Sequence, residues 1–245
     1  MPYPQKKCTI GGMNEKGSVI LFSGGLDSTT ALYWAKKNFS NVLALIFDYS
    51  QKHNIEVAMA KKTAESVNIK YHVIDFPFKH IVYSALIDEE RDIPESLATS
   101  KNDAGVPFTY VPFRNGIFLS LAAAFAESRG ISDLVTGFNL IDTPDYPDTT
   151  EDFTKKMEAA INQGTSASIT GKQFKIHTPL IARSKKEIIE LGLELQADYS
   201  YSVSCYRGRE VPCLRCPSCD IRSSAFTQLG MEDPLITRLK REGKL

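Results

Sequence analysis

The sequence predicts an α/β fold with a parallel, doubly wound sheet of about five strands, followed by a small module that carries four cysteines. One pattern predicts the sheet: short apolar segments of strand length alternate with segments of helix length. This alternation gives right-handed crossovers between parallel strands. A length of 245 residues and a hydrophobic content of 42% are enough for a buried core of this kind. Because ligands collect outside the carboxyl ends of parallel strands, we expect the functional residues to lie along that edge.

The strands and helices are assigned in chain order from their apolar patterns. Residues 17–22 and 42–48 are short and almost continuously apolar, as expected for strands that are buried on both faces. The predicted strands are 17–22, 42–48, 71–75, 133–137 and 174–177. The predicted helices are 26–37, 55–67, 115–128, 150–161 and 185–191.

Two helix starts carry capping signals. Thr149 or Thr150 can cap the helix that begins near residue 150, because a threonine hydroxyl there accepts a hydrogen bond from the first turn. Ser184 and Glu187 have the spacing of a capping box, in which each side chain bonds to the backbone N–H of the other residue. Each of the two signals predicts the first residue of a helix.

The domain organisation follows from where the α/β pattern starts and stops. Residues 1–16 are predicted to be an N-terminal extension, 17–199 the α/β domain, and 200–245 the cysteine module with one terminal helix. Residues 77–112 are irregular and contain several prolines, so we interpret them as an excursion on the substrate side of the sheet.

Charge and hydropathy restrict the class of partner. The 29 basic residues balance 29 acidic ones, so no overall positive field favours binding to nucleic acid, and a small-molecule substrate is expected. No apolar run has the length of a signal peptide or of a membrane span. We therefore predict a cytoplasmic protein that binds neither a membrane nor, directly, a nucleic acid.

The segment SGGLDST at residues 23–29 follows the first strand and opens the first helix, which is the arrangement of a phosphate-binding loop. Adjacent glycines let backbone N–H groups turn toward an anion, and Asp27 is suited to orient Mg²⁺ or a water. The loop lacks the lysine of a Walker motif and the third glycine of a dinucleotide motif, and the alternative is a purely structural glycine turn. The predicted ATP-binding residues are Phe22, Ser23, Gly24, Gly25, Leu26, Asp27, Ser28, Thr29, Thr30, Phe47 and Asp48.

Four of the five cysteines lie within fifteen residues, whereas Cys8 stands apart and is predicted to be a free thiol. The four form a C-x7-C-x2-C-x2-C pattern, and four thiolates are what a closed, structural Zn²⁺ site requires. An iron–sulfur cluster and four buried free thiols are the alternatives. The predicted ligands of one structural zinc per chain are Cys205, Cys213, Cys216 and Cys219.

Further candidate residues follow the predicted strands or begin a helix. Arg114 and Asn115 begin an otherwise apolar helix, where an arginine is suited to bind a carboxylate or an adenylate phosphate. Gln51 and His53 follow the second strand, and a role as surface-loop residues is equally compatible with the sequence. The predicted substrate-binding residues are Gln51, His53, Arg114, Asn115, Tyr146 and Asp148.

The motifs together resemble one enzyme family. SGGLDS resembles the loop of the PP-loop ATP pyrophosphatase superfamily, which implies an adenine nucleotide α-hydrolase-like fold of the HUP type. Nearly the whole chain after residue 17 also resembles the 7-cyano-7-deazaguanine synthase (QueC) family of queuosine biosynthesis. The segments that carry this resemblance, in the order and spacing of the family, are FSGGLDSTT, FDYSQKH, TYVPFRN, YPD, HTPLIARSKKEI and SCYRG followed by PCLRCPSC. The resemblance implies that ATP adenylates 7-carboxy-7-deazaguanine, that ammonia converts the adenylate to an amide, and that a second activation yields the nitrile. It also implies a homodimer that uses Mg²⁺ and Zn²⁺, with Ser23, Asp27 and Arg114 taking part in catalysis.

Two departures from the family pattern keep other functions open. Ser50 replaces a glycine, and residues 143–150 replace the commoner Ser-Gly-Tyr-Pro-Asp-Cys-Arg, so that its arginine is absent. One alternative is a related enzyme that passes the adenylated acid to an amine other than ammonia, forming an amide or a protein conjugate. The others are a PP-loop tRNA-modifying enzyme and a zinc-stabilised nucleotide-binding module without catalysis.

Overall fold

A computed structural model describes residues 16–49, 55–78, 81–82, 84, 86–87, 105–141 and 145–245. Five parallel strands form one sheet in the order β3-β2-β1-β4-β5, which confirms the predicted fold class. The strands are β1 (Gly17–Leu21), β2 (Asn41–Asp48), β3 (Lys70–Asp75), β4 (Asp133–Val135) and β5 (Lys175–His177). The strand order reverses between β1 and β4, and such a switch point opens a crevice at the carboxyl ends of the strands.

Helices cover both faces of this sheet. They are α1 (Leu26–Asn38), α2 (Ile55–Ser66), α3 (Arg114–Glu127), α4 (Glu151–Gly164), α5 (Ala167–Thr170), α6 (Lys185–Glu194), α7 (Pro217–Gln228) and α8 (Pro234–Arg241). No helix of the described residues combines the length and the apolarity needed to cross a bilayer. The predicted N-terminal extension and most of the predicted excursion at 77–112 lie outside the described residues, and the predicted domain boundary near residue 200 stays a prediction.

The core consists of two apolar layers separated by the sheet. Alternate residues along each strand point to opposite faces, so Val19 and Leu45 belong to the layer under α3 and α4, whereas Ile20 and Ile46 belong to the layer under α1, α2 and α6. The second layer also contains Phe226 of α7, so that the segment after the cysteines packs on the main core. This double coverage explains why the strands are almost continuously apolar.

Helix boundaries agree with the local signals in most cases. The Thr150 hydroxyl accepts a hydrogen bond from the backbone N–H of Phe153, and Ser184 and Glu187 form the predicted capping box. Two helices lie in the C-terminal part: α7, which carries Cys219, and the terminal helix α8, and Gly230 with φ +65° and Pro234 separate them.

Candidate active site

The loop between β1 and α1 turns sharply at Gly24, which has φ +77°. A Cβ at this position would lie 2.9 Å from Ala60 of α2, so both the backbone conformation and the close approach require glycine. Gly25 is the N-cap of α1 and provides no side-chain cap to the first N–H groups of the helix. Free N–H groups at a positively polarised helix N-terminus form a site that is suited to phosphate.

The hydroxyl groups of the loop fall into two groups. Ser23 and Ser28 have their Oγ atoms 3.0 Å apart, and both line the cavity described below. Thr29 and Thr30 are fully buried. The Thr29 hydroxyl donates to the Gly25 carbonyl at 2.9 Å, and that of Thr30 lies 2.6 Å from the Tyr199 hydroxyl. The Ser28 hydroxyl also donates to the Gly25 carbonyl, at 3.0 Å. The two serines therefore face the cavity from within the hydrogen bonds of the loop, whereas the two threonines hold α1 in place.

Asp27 forms an ion pair that sequence reasoning did not predict. The Nζ of Lys185, the first residue of α6, lies 2.6 Å and 2.7 Å from the two carboxylate oxygens of Asp27. Both residues line the cavity, and their side chains are only 15% and 27% exposed for Lys185 and Asp27 respectively. A lysine at a helix N-terminus opposes the helix dipole, so its position indicates a nearby anion. The pair brings one positive and one negative group to the phosphate loop.

A cavity of about 340 Å³ opens where β1, β2 and β4 end. Close packing of Gly137 after β4 shapes it, because a Cβ there would lie 2.9 Å from the backbone nitrogen of Ser28. Of the residues predicted to bind ATP or substrate, those that line it are Phe22, Ser23, Gly25, Leu26, Asp27, Ser28, Phe47, Arg114, Asn115 and Tyr146. The predicted residues that do not line it are Gly24, Thr29, Thr30, Asp48 and Asp148, and Gln51 and His53 lie outside the described residues.

Arg114 lies in this cavity among phenol groups. Its Nη1 donates to the Tyr49 hydroxyl at 3.1 Å, and it makes no salt bridge within 4.0 Å to a carboxylate of the described residues. Burial acts to lower the pKa of Arg114, but the interactions with Tyr49, Asp148 and Tyr146 outweigh it and raise the pKa. Burial also raises the pKa of Tyr49 and Tyr146, so both phenols stay protonated at neutral pH and can donate. A half-buried, permanently charged guanidinium with mainly neutral neighbours is suited to bind an anionic substrate group.

Asp148 and Asn115 are joined by two hydrogen bonds. The backbone N–H of Asn115 donates to Oδ2 of Asp148 at 3.0 Å, and the Asn115 amide donates to the Asp148 carbonyl at 3.2 Å. The N-cap residue of α3, Phe113, is in the left-handed region with φ 53° and provides no side-chain cap. Asp148 therefore supplies the cap of α3 from a distant part of the chain, which fixes the start of the helix that carries Arg114.

The four predicted zinc ligands converge on one point. The Sγ atoms of Cys205, Cys213, Cys216 and Cys219 all lie within 4.8 Å of one another, and the backbone N–H groups of Cys213 and Cys216 point to thiol sulfurs at 3.4 Å. Zn–S bonds of about 2.3 Å in a tetrahedron separate the sulfurs by about 3.8 Å, so this set fits a tetrahedral metal with a small contraction. None of the four cysteines lines the cavity, but their chain neighbours Ser204, Tyr206 and Ser218 do.

Sequence reasoning missed Lys185 and Tyr206 as cavity residues. Lys185 lies 158 positions after its partner, and only its unfavourable place at a helix N-terminus gave a signal. Tyr206 directly follows the first cysteine ligand, where an aromatic residue is more often part of a small core.

Comparisons with known proteins agree with the motifs. The family model described as "Queuosine biosynthesis protein QueC" matches residues 17–230. A 7-cyano-7-deazaguanine synthase of Trichodesmium erythraeum (strain IMS101) is 41% identical over 220 residues, which cover 89% of this chain and 99% of the relative. The 7-cyano-7-deazaguanine synthase of Syntrophobacter fumaroxidans (strain DSM 10017 / MPOB) is 39% identical over 237 residues, 95% of this chain and 100% of the relative. A solved structure of NMN synthetase from Francisella tularensis aligns with a TM-score of 0.46 and 15% identity, over 92% of this chain and 83% of that one.

Proposed function

The chain belongs to the QueC family, and we propose that it is a 7-cyano-7-deazaguanine synthase, a ligase that forms a carbon–nitrogen bond at the expense of ATP in queuosine biosynthesis. The observation that carries this proposal is that one cavity contains the phosphate loop, the Asp27–Lys185 pair and the half-buried guanidinium of Arg114. A nucleotide and an anionic small molecule can therefore meet in the same space.

The proposed reaction is two activations of the same carbon. A carboxylate oxygen of 7-carboxy-7-deazaguanine attacks the α-phosphorus of ATP, which releases pyrophosphate and gives an acyl adenylate. Ammonia attacks the acyl carbon, AMP leaves, and the amide forms. The amide oxygen then attacks the α-phosphorus of a second ATP, which releases a second pyrophosphate, and loss of AMP and of both protons of the amide nitrogen leaves the nitrile. Each activation converts a poor leaving group into AMP, so the same phosphate site can serve both.

Each part of the cavity has a proposed role in these steps. The N–H groups that open α1, with Ser23 and Ser28, hold the pyrophosphate of ATP. Asp27 would hold Mg²⁺, which would neutralise phosphate charge when bound, and Lys185, its ion-pair partner, would bind a phosphate oxygen. Arg114 binds the carboxylate or the adenylate phosphate, with Tyr146 beside it.

The metal of the cysteine module is proposed to be one structural Zn²⁺ per chain. Four thiolates leave no coordination position open for water, so the ion has no direct part in the chemistry. The cytoplasmic location, the homodimer and the lack of a direct nucleic-acid partner stay predictions from the sequence.

The test is to incubate the purified protein with ATP, Mg²⁺, 7-carboxy-7-deazaguanine and ammonium, and to follow the deazapurine by mass spectrometry together with AMP and pyrophosphate. We expect the nitrile, with two AMP released per nitrile formed. Asp27→Asn should abolish turnover, whereas Asp152→Asn, a matched change in the exposed Asp152–Lys156 pair of α4, should not. If ATP stays intact in the presence of the acid, the proposed substrate is wrong.

One departure from the family pattern supports a second candidate. When the chain is aligned on Tyr146-Pro147-Asp148, the arginine of the family motif falls at Thr150, which here caps α4. If that arginine normally contacts the substrate, the acceptor of the activated acid can differ in this enzyme, and another amine would take the place of ammonia. AMP release without nitrile under the same conditions, and a new amide when other amines are supplied, would favour this candidate.

A further inference from the structure

The segment that starts the cysteine module forms part of the cavity wall. Val203, Ser204, Tyr206 and Gly208 all line the cavity together with the phosphate loop. The backbone N–H of Val203 donates to the carbonyl of Gly24 at 3.0 Å, so the segment is bonded directly to that loop. The module and the nucleotide site therefore share one wall.

Tyr206 reaches this wall from a tight turn that begins at a cysteine ligand. The backbone N–H of Gly208 donates to the carbonyl of Cys205 at 2.8 Å, which closes a four-residue turn with Tyr206 at its second position. Gly208 has φ 57°, a conformation that favours glycine at the end of such a turn. Because the Cys205 sulfur belongs to the four-thiol cluster, a metal bound there fixes the first residue of the turn.

The Tyr206 side chain lies on the same side of the cavity as Arg114. Its hydroxyl approaches that of Tyr146, which itself lies 2.5 Å from the Thr109 hydroxyl. Arg114, Tyr146 and Tyr206 interact electrostatically. Asp148 also interacts with the guanidinium, but no carboxylate of the described residues forms a salt bridge with it within 4.0 Å. The group thus offers a positive charge and phenol donors, which is what an incoming carboxylate needs.

On the basis of the proposed function, we infer that Tyr206 contacts the carboxylate of the deazaguanine acid and that the cysteine-bound metal holds this tyrosine in place. The metal then controls binding of the acid as well as the stability of the module. Tyr206 binds the substrate, and Cys205 is a positioning residue that acts through it.

The first test is Tyr206→Phe, with Tyr201→Phe as a matched control in the same module. Tyr201 does not line the cavity, and its ring contacts Arg238 instead. Loss of a hydrogen bond to a charged group should raise the KM for the acid by about 10- to 100-fold in Tyr206→Phe, with the KM for ATP and the metal content unchanged. Tyr201→Phe should keep wild-type values. A wild-type KM for the acid in Tyr206→Phe would overturn the inference.

The second test measures binding instead of turnover. Titration calorimetry with the acid and a non-cleavable ATP analogue is done before and after the metal is removed by a chelator, with circular dichroism to verify the fold of the α/β part. We expect the metal-free protein to lose affinity for the acid by at least the factor found for Tyr206→Phe, and to regain it when Zn²⁺ is restored. Equal affinity in a folded, metal-free protein would overturn the inference alone. Failure of the wild type to bind the acid would overturn the proposed function, and this inference with it.

Discussion

Lys185 is the residue on which the proposed nucleotide site depends most directly. Its Nζ bonds to both oxygens of Asp27, 2.6 Å and 2.7 Å away, and it lines the cavity. We expect Lys185→Met to raise the KM for ATP about 10- to 100-fold, because a charged donor is lost where phosphate oxygens bind. Acid-dependent exchange of labelled pyrophosphate into ATP measures this effect without the later steps.

The neighbouring lysine supplies the control for this prediction. Lys186 is 44% exposed and pairs with Glu190 on the outer face of α6, so Lys186→Met changes the same charge outside the cavity. It should leave the exchange kinetics as in the wild type. Equal effects of the two substitutions would show that general charge, and not a contact of Lys185, sets the affinity for ATP.

Tyr199 makes a buried contact that supports the phosphate loop from behind. It is fully buried, and its hydroxyl lies 2.6 Å from that of Thr30 in α1. Tyr199→Phe should lower the free energy of unfolding by about 1 kcal/mol and Tm by about 2–4 °C, because one buried hydrogen bond is lost without a large cavity. Thermal unfolding measures the shift. Tyr71→Phe, which removes an exposed bond to Glu65, is the control and should leave Tm almost unchanged; equal shifts would contradict this view of Tyr199.

For single residues, the sequence predicts a site built from consecutive positions better than a contact between side chains that lie far apart in the chain. The serines and glycines of residues 23–28 lie where the pattern places them, because strand, loop and helix are consecutive. The Asp27–Lys185 and Thr30–Tyr199 contacts join residues 158 and 169 positions apart, and no local pattern encodes such a pairing.

At the scale of elements, apolar pattern and capping predicted most helices and strands within a few residues. β4 is two residues shorter than predicted, since Thr136 and Gly137 lie beyond its end and form part of the cavity edge, whereas β5 only starts one residue later than predicted. The capping box at Ser184 is local and was predictable. The cap of α3 was not, because it comes from Asp148, 33 residues after Asn115.

The remote cap of α3 gives a prediction at this scale. Asp148→Ala should lower the free energy of unfolding by about 1–2 kcal/mol, because the N-terminus of α3 loses its acceptor. Asp148→Asn keeps an oxygen acceptor and should lose less. Urea denaturation of the two variants and the wild type measures the difference. Thr150→Ala, which removes the local cap of α4, is a matched control for the cost of losing a cap; if Asp148→Ala is as stable as the wild type, the carboxylate has no capping role.

For the whole molecule, the cavity lies where several separate parts of the chain meet, and three of them carry much of its wall. The first strand and helix supply the phosphate loop, α3 supplies Arg114, and the segment after Tyr199 supplies the wall next to the cysteines. The predicted parallel sheet indicated the edge at which these parts meet. It did not indicate that residues of the cysteine module would line the cavity. Cys205, Cys216 and Cys219 form one apolar cluster with Val203 and with Met59 of α2, so the metal site is continuous with a helix of the α/β part.

This continuity gives a prediction about the metal. We expect about one zinc per chain by elemental analysis, and we expect Cys219→Ser to lose most of the metal and to lower Tm by more than 4 °C, because three remaining thiolates hold the ion weakly and metal binding contributes to folding. Destabilisation should extend beyond the module, since Phe226 of α7 belongs to the main core. Hydrogen exchange in α6 and α7 with and without metal measures that extension.

Cys8→Ser, the same substitution at the cysteine outside the cluster, is the control for this prediction. It should keep one zinc per chain and the wild-type Tm. Equal metal loss in both variants would contradict the four-cysteine assignment.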